Sequence, residues 1–299
     1  MSESAIALDG LFPPIPTPFG TEENVAYQAL IENIQRWNHY QLAGYVVLGS
    51  NGEMVYLSDE EKVRIWETAR QAIPSDKLMI AGTGCESTRQ TIRLSCQAAD
   101  AGADAVLVLT PHYYDGQMTA GALSHHFRTI ADASPVPVIL YNMPRFTNVD
   151  MDAATVADIA RHPNVVGIKD SGGNVGKLAQ VVEMAGPDFQ VLAGSASFLL
   201  PALAVGAVGG VAALANVAPQ QVLDLYTLFK AGRQDEAASI QRRLIASNTA
   251  VTARFGIPGL KAALDMVGYY GGPVRSPLQP LEDREIQTLK DILTEGGVV

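Results

Sequence analysis

Residues 165–174 read Val165-Val166-Gly167-Ile168-Lys169-Asp170-Ser171-Gly172-Gly173-Asn174. An apolar run meets a charged pair and then a Gly-rich turn, which predicts a short buried strand ending at Lys169. After the turn, Val175–Ala185 carries helical periodicity. A continuous apolar strand followed by a helix is the unit of a parallel sheet covered on both faces. The unit recurs in both directions from this stretch. Strands are predicted at Leu11–Thr17, Gly44–Leu48, Lys77–Gly82, Ala105–Thr110, Pro137–Tyr141, Val165–Lys169, Gln190–Gly194 and Gly209–Leu214. Helices fill the gaps at Val25–Tyr40, Ser58–Ile73, Thr88–Ala101, Ala120–Ala133, Asp152–His162, Val175–Ala185, Ser197–Val205 and Pro219–Gly232. Ser58 and Glu61 are spaced as a capping box. Eight such units predict an α/β protein with a closed (β/α)8 TIM barrel over residues 1–232. A doubly wound open sheet is the other solution, but no G-x-G-x-x-G follows any strand. Residues 233–299 predict a C-terminal helical appendage packed on the barrel, with helices at Gln234–Phe255, Pro258–Val267 and Asp283–Thr294 and a turn-rich break at Gly268–Pro273.

Composition narrows the function. Hydrophobic residues make up 47% of the chain and charged residues 17%, which excludes a disordered or nucleic-acid-binding class. The net charge of −10 opposes polyanion partners but not a small anionic substrate in one local site. Cys85 and Cys96 make no disulfide framework, so a reduced, cytoplasmic protein is expected. The N-terminal MSESAIALDG lacks the basic start of a signal or transit peptide. Phe198–Ala215 approaches the length of a membrane span, yet Pro201, Gly206, Gly209 and Gly210 interrupt it, and a buried helix (197–206) and strand (208–214) explain it better.

A barrel of this kind carries its active site at the C-terminal ends of the strands. Those ends hold Gly49-Ser50-Asn51-Gly52-Glu53, Thr110-Pro111-His112-Tyr113-Tyr114, Tyr141-Asn142-Met143-Pro144, Lys169, Gly194-Ser195 and Gly209-Gly210-Val211. Burial of a lysine favours the neutral amine, the nucleophile that forms imines with carbonyl substrates. A phenol beside it serves as proton shuttle. Hydroxyl, amide and loop N–H groups hold a carboxylate without a full positive charge. Taken singly, each residue has a plainer reading. Lys169 snorkels from a strand end, Tyr141 is a core aromatic, Gly49–Gly52 is a tight turn, and Tyr113 and Tyr114 are interface aromatics. Their shared location favours chemistry. No metal site is expected, because His39, His112, His125, His126 and His162 lack ligand spacing and solvated or capping roles suit His125 and His126. Glu53 is read as a structural acceptor of loop amides.

GSNGE, TPHYY, YNMP and GIKDSGGN, in this order, resemble the dihydrodipicolinate synthase/N-acetylneuraminate lyase family over nearly the whole chain. The resemblance implies a pyruvate-dependent Schiff-base enzyme that needs no cofactor, assembled as a homotetramer of tight dimers, with no nucleic-acid or membrane partner. It implies Lys169 as the imine-forming residue, Tyr141 as the acid/base phenol, Ser50 in the hydroxyl relay, and Tyr113, ahead of Tyr114, donated across the dimer. Asn51, with Gly49 and nearby loop amides, would hold the pyruvate carboxylate, and Ser171, Gly194 and Val211 would complete the substrate site. Synthases usually carry Thr-Thr where this chain has Ser50-Asn51, and an Arg where it has Phe146, with Arg145 one residue away. The stretches AGTGCEST (81–88), FQVLAGSASFL (189–199), GAVGGVAALANV (206–217) and 254–281 look more like 4-hydroxy-2-oxoglutarate aldolase, which yields pyruvate and glyoxylate. Two other readings stand beside cleavage: condensation of pyruvate with aspartate semialdehyde, and a silent barrel that only binds a 2-oxo acid.

Overall fold

The computed structural model describes residues 6–299. The first five residues of the expected 1–232 barrel span, and with them half of the MSESAIALDG segment, lie outside the described residues. The strands are β1 Gly10–Leu11, β2 Pro14–Ile15, β3 Gly44–Val47, β4 Leu78–Gly82, β5 Ala105–Leu109, β6 Val138–Asn142, β7 Val165–Asp170, β8 Gln190–Ala193 and β9 Gly209–Gly210. They form one parallel sheet in the order β1-β9-β8-β7-β6-β5-β4-β3-β2. β1 and β2 are two halves of the single strand predicted at Leu11–Thr17. Pro13 and Pro14 have no N–H to donate, so the ladder breaks between them. The first half pairs with β9 and the second with β3, and the sheet therefore closes on itself. Phe12 N–H donates to Gly210 O (2.9 Å) on one side and Val46 N–H to Pro13 O (3.1 Å) on the other.

The helices are α1 Tyr27–Trp37, α2 Asp59–Ala72, α3 Thr88–Asp100, α4 Ala120–Ala133, α5 Pro144–Thr147, α6 Ala153–Ile159, α7 Val175–Ala185, α8 Leu199–Ala204, α9 Pro219–Lys230, α10 Gln234–Thr249, α11 Gly256–Met266 and α12 Asp283–Glu295. The capping box before α2 is formed: Glu61 N–H donates to Ser58 Oγ (3.2 Å) and Ser58 N–H to Glu61 Oε2 (2.9 Å). Three expectations are corrected. The predicted strand Gly209–Leu214 ends after Gly210, and Ala213–Asn216 is a 3₁₀ turn fixed by Asn216 Nδ2, which donates to Pro14 O and Ala213 O. The predicted helix Ser197–Val205 begins as a 3₁₀ turn, Ala196–Phe198, before α8. The predicted helix Gln234–Phe255 stops at Thr249 and continues as a π-helical turn, Ala250–Arg254. The helical turn α5, inside the YNMP loop, was not foreseen.

Strand side chains alternate between two cores. Phe12, Val46, Ile80, Leu107, Ile139 and Leu192 fill the barrel interior. Residues of the other parity, such as Val47, Ala81, Val108, Leu140 and Ile168, pack under the helices. The C-terminal helices are tied to this frame. α10 packs against α9. Lys261 Nζ from α11 lies 2.5 Å from Glu53 Oε1, and both side chains are fully buried. Glu53 Oε2 also accepts from Arg275 N–H (2.9 Å). So Glu53 does accept a loop amide, but its ion pair with Lys261 was not anticipated. Among the described residues no helix is long and apolar enough to cross a membrane, and the apolar run 198–215 is divided between α8, β9 and the turn after it.

His126 is not solvated, contrary to expectation. It is buried in α4 with Nδ1 2.9 Å from Thr88 Oγ1, because position 126 falls on the face of α4 that carries Leu123, Phe127 and Ile130. Burial pushes its pKa down from 6.5 to about 4. The unfolded chain therefore binds a proton in this window that the folded chain does not, and stability is present above pH 6.5 and lost as pH falls toward 4. The expected contribution is roughly 3 kcal/mol. Urea unfolding from pH 7 to pH 4 is expected to show a shallower fall for His126→Gln than for the wild type; parallel curves would contradict this.

Candidate active site

The mouth of the barrel at the strand C-termini opens into a cavity of about 230 Å³. Adjacent strands β6 and β7 set its centre. Their register pairs Tyr141 with Lys169, and Lys169 with Leu192 of β8. Tyr141 and Leu192 both belong to the interior core, so parity turns Lys169 inward as well. The Lys169 amine lies 3.9 Å from the centre of the Tyr141 ring, and the side chain is 3% exposed. No carboxylate of the described residues lies within ion-pairing distance of it, whereas Lys261 and Lys62 each have one and Lys177 has two. Tyr141 OH is 3.2 Å from Ser50 Oγ.

Ser50 and Asn51 sit on a 3₁₀ turn that leaves β3 through a constrained backbone. Leu48 has φ +61°, a left-handed conformation costly for a bulky residue. Gly82 of β4 makes room for it: a Cβ there would lie 2.0 Å from Leu48 O. The Nδ2 of Asn51 is buried and has no hydrogen-bond partner among the described residues. On the far side, Gly194 lets the β7–α7 turn close, since a Cβ there would lie 2.0 Å from Ser171 Oγ and 2.7 Å from Asp170 O.

Of the predicted residues, Lys169, Tyr141, Ser50, Asn51, Ser171, Gly194 and Val211 line this one cavity. Gly49 does not; it precedes the turn and caps it. Tyr113 does not line it within one chain either. Its side chain is 76% exposed and its ring stands edge-on against Tyr114 at 5.0 Å. Arg145 and Phe146 both reach the rim from α5. The Arg145 guanidinium donates from Nη2 to Ala253 O (2.8 Å) in the π-helical turn, which joins the α5 loop to the C-terminal helices.

The sequence reading missed the wall supplied by those helices. Asn248, Thr249, Val251 and Thr252 line the cavity. Asn248 Nδ2 donates to Ser195 Oγ (3.0 Å) and Ser197 Oγ (2.7 Å), leaving both hydroxyl protons free to donate into the cavity. A signal was present: Ser247-Asn248-Thr249 is a run of poor helix formers inside a helix, and the first two are buried. A π-helical turn often marks a functional site.

The sequence pattern of the dihydrodipicolinate synthetase family matches residues 7–296. The chain belongs to this family. It is 36% identical over 292 residues to the probable mitochondrial 4-hydroxy-2-oxoglutarate aldolase of Emericella nidulans, covering 96% of this chain and 94% of the relative. It is 35% identical over 287 residues to the 4-hydroxy-tetrahydrodipicolinate synthase of Methanothrix thermoacetophila, covering 96% of each. The dihydrodipicolinate synthase of Acinetobacter baumannii, solved with pyruvate, superposes with a TM-score of 0.93 at 28% identity, over 98% of this chain and all of the other. The fold is thus the family's TIM barrel, and the chain is a lyase of this family, whose relatives are named aldolases and synthases.

Gly194→Ala is expected to cost about 1–3 kcal/mol of stability through overpacking. Adding Ser171→Ala, which removes the nearer clash, is expected to restore part of it. Thermal unfolding of the two variants checks this; equal melting temperatures would contradict it.

Proposed function

We propose that the chain is a class I aldolase that cleaves a 4-hydroxy-2-oxo acid, such as 4-hydroxy-2-oxoglutarate, to pyruvate and an aldehyde such as glyoxylate. One observation carries this reading: Lys169 is buried without a carboxylate partner, against the ring of a tyrosine whose hydroxyl meets Ser50. The amine adds to the C2 carbonyl and water leaves, giving an iminium that acts as electron sink. Tyr141 takes the proton of the C4 hydroxyl as the C3–C4 bond breaks, the aldehyde departs, and the electron pair passes to the iminium as an enamine. Protonation of the enamine and hydrolysis release pyruvate and restore the amine. The iminium does what a bound metal or organic cofactor does elsewhere, so none is required.

The unpartnered Nδ2 of Asn51 supports a role in holding the 2-oxo acid carboxylate. Ser195 and Ser197 are donors for the distal end of the substrate, and Ser171, whose hydroxyl donates at 3.4 Å to Gly194 O, lies beside them. Phe146 stands where synthases carry the Arg that grips a second carboxylate, and one arm of Arg145 is spent on Ala253, which argues against condensation with aspartate semialdehyde. The synthase reading keeps support from the equally near Methanothrix relative. We further propose that exposed Tyr113 reaches the Tyr141–Ser50 relay of a second copy in a tight dimer, two dimers forming a tetramer. The free thiols Cys85 and Cys96 support a reducing, cytoplasmic setting, although the Emericella relative is named mitochondrial.

Borohydride added with pyruvate is expected to fix a pyruvyl group on Lys169, read by peptide mass. A panel of 4-hydroxy-2-oxo acids is expected to release pyruvate, with kcat for Tyr141→Phe lower by roughly 10²–10⁴-fold. Turnover of aspartate semialdehyde with pyruvate, and none of the panel, would select the synthase. No adduct on Lys169 would overturn both.

A further inference from the structure

Directly behind the reacting pair lies a second buried lysine that the mechanism does not use. Tyr141 and Lys169 face the barrel interior, and the residue after each, Asn142 and Asp170, faces outward. Both are fully buried. Asp170 Oδ2 accepts from Asn142 Nδ2 (2.8 Å) and pairs with Lys177 Nζ of α7 (2.8 Å). Asp170 Oδ1 accepts from Gly172 N–H (2.7 Å). Asp150 Oδ1 accepts from both Asn142 Nδ2 (2.7 Å) and Lys177 Nζ (2.5 Å). Asn142 Oδ1 accepts from Met151 N–H (3.0 Å). Three elements and the turn after Lys169 therefore meet in one closed network.

We propose that Lys177 is a positioning residue for this reaction: through Asp170 and Asn142 it fixes the spacing of Lys169 and Tyr141 and balances the carboxylate next in sequence to the nucleophile. The inference rests on the reading of Lys169 and Tyr141 as the reacting pair. Removing one partner of a buried ion pair leaves an uncompensated charge. Without Lys177, Asp170 keeps only the Asn142 Nδ2 and Gly172 N–H donors, and its unbalanced charge favours the Lys169 ammonium over the neutral amine. Removing Asp170 has the opposite sign, because it takes away the carboxylate next in sequence to Lys169 and leaves Lys177 paired with Asp150 alone. Burial works against the Lys177 ammonium, but its two carboxylate partners prevail and hold its pKa above the ordinary value, so it remains charged and is no rival nucleophile. Around Lys169 the titratable groups are Tyr141 from β6 and Arg145 from α5, on the cavity side. Around Asp170 they are Lys177 from α7 and Asp150, with Asp152 beyond them held down in part by the charge of Lys177.

The test measures the pH dependence of pyruvate-dependent borohydride trapping on Lys169 in the full-length wild type, Lys177→Met, Asp170→Asn and the neutral double variant. Lys177→Met is expected to move the midpoint up by about one pH unit, and trapping at pH 7 to slow about tenfold. Asp170→Asn is expected to move it down, and the double variant to return it to the wild-type value. General damage to the fold would move both single variants alike. Midpoints that stay put or shift in the same direction would overturn the clamp while leaving the aldolase reading intact. Absence of trapping in the wild type would overturn that reading. If Lys177→Met does not fold, the opposite-signed shift of Asp170→Asn and trapping by Lys177→Arg within about threefold of the wild type carry the same decision.

Discussion

Side-chain alternation on two neighbouring parallel strands is the constraint on which the site depends. β6 and β7 are in register, so consecutive residues divide their chemistry between two compartments. Tyr141 and Lys169 enter the barrel, and Asn142 and Asp170 enter the layer beneath the helices. A slip of one residue in β7 would exchange the compartments, placing a carboxylate in the cavity and the amine under α7. The closed sheet prevents that slip because β7 is held on both sides, by β6 and by β8.

Two lysines in this chain show how environment assigns a role. Lys261 and Lys169 are both buried, yet Lys261 is consumed by Glu53 and by Pro273 O, and serves to fasten the C-terminal helices to the loop that carries Ser50. Burial still holds its amine below the ordinary value, Glu53 opposing. Both amines lie over an aromatic ring, Phe19 for Lys261 and Tyr141 for Lys169, but only Lys261 has a carboxylate partner among the described residues. The same residue type is structural in one case and available for chemistry in the other.

Most of the barrel was legible because its signal is local. Apolar runs of strand length alternating with amphipathic helices leave few architectures open, and a lysine at the end of such a run is conspicuous. The first strand was readable as one unit but not as two halves, since the break reflects proline chemistry acting on partners far along the chain. Lys169, Tyr141, Ser50 and Asn51 were legible from their strand-end positions. Asn248 and the Lys261–Glu53 pair were not, because each gains its meaning from a contact with a distant segment. Asn248 is separated by 53 and 51 residues from the two serines it touches, and the poor helix formers around it mark an irregular helix without pointing to the barrel mouth. His126 was misjudged because only solvated or capping roles were weighed for it, while position 126 falls on the apolar face that the helix turns inward.

The π-helical turn at Ala250–Arg254 gives the rim a joint of its own. One residue more than an α-helical turn needs has been accommodated there as a local swelling, so the segments before and after it keep their seats on the barrel. The carbonyl of Ala253, within this turn, is where the arginine of the opposite loop takes hold. The gauge of the entrance is thus set by a bulge in one helix and a single guanidinium strut, two parts that a lineage of such barrels can alter without recasting the vessel beneath them.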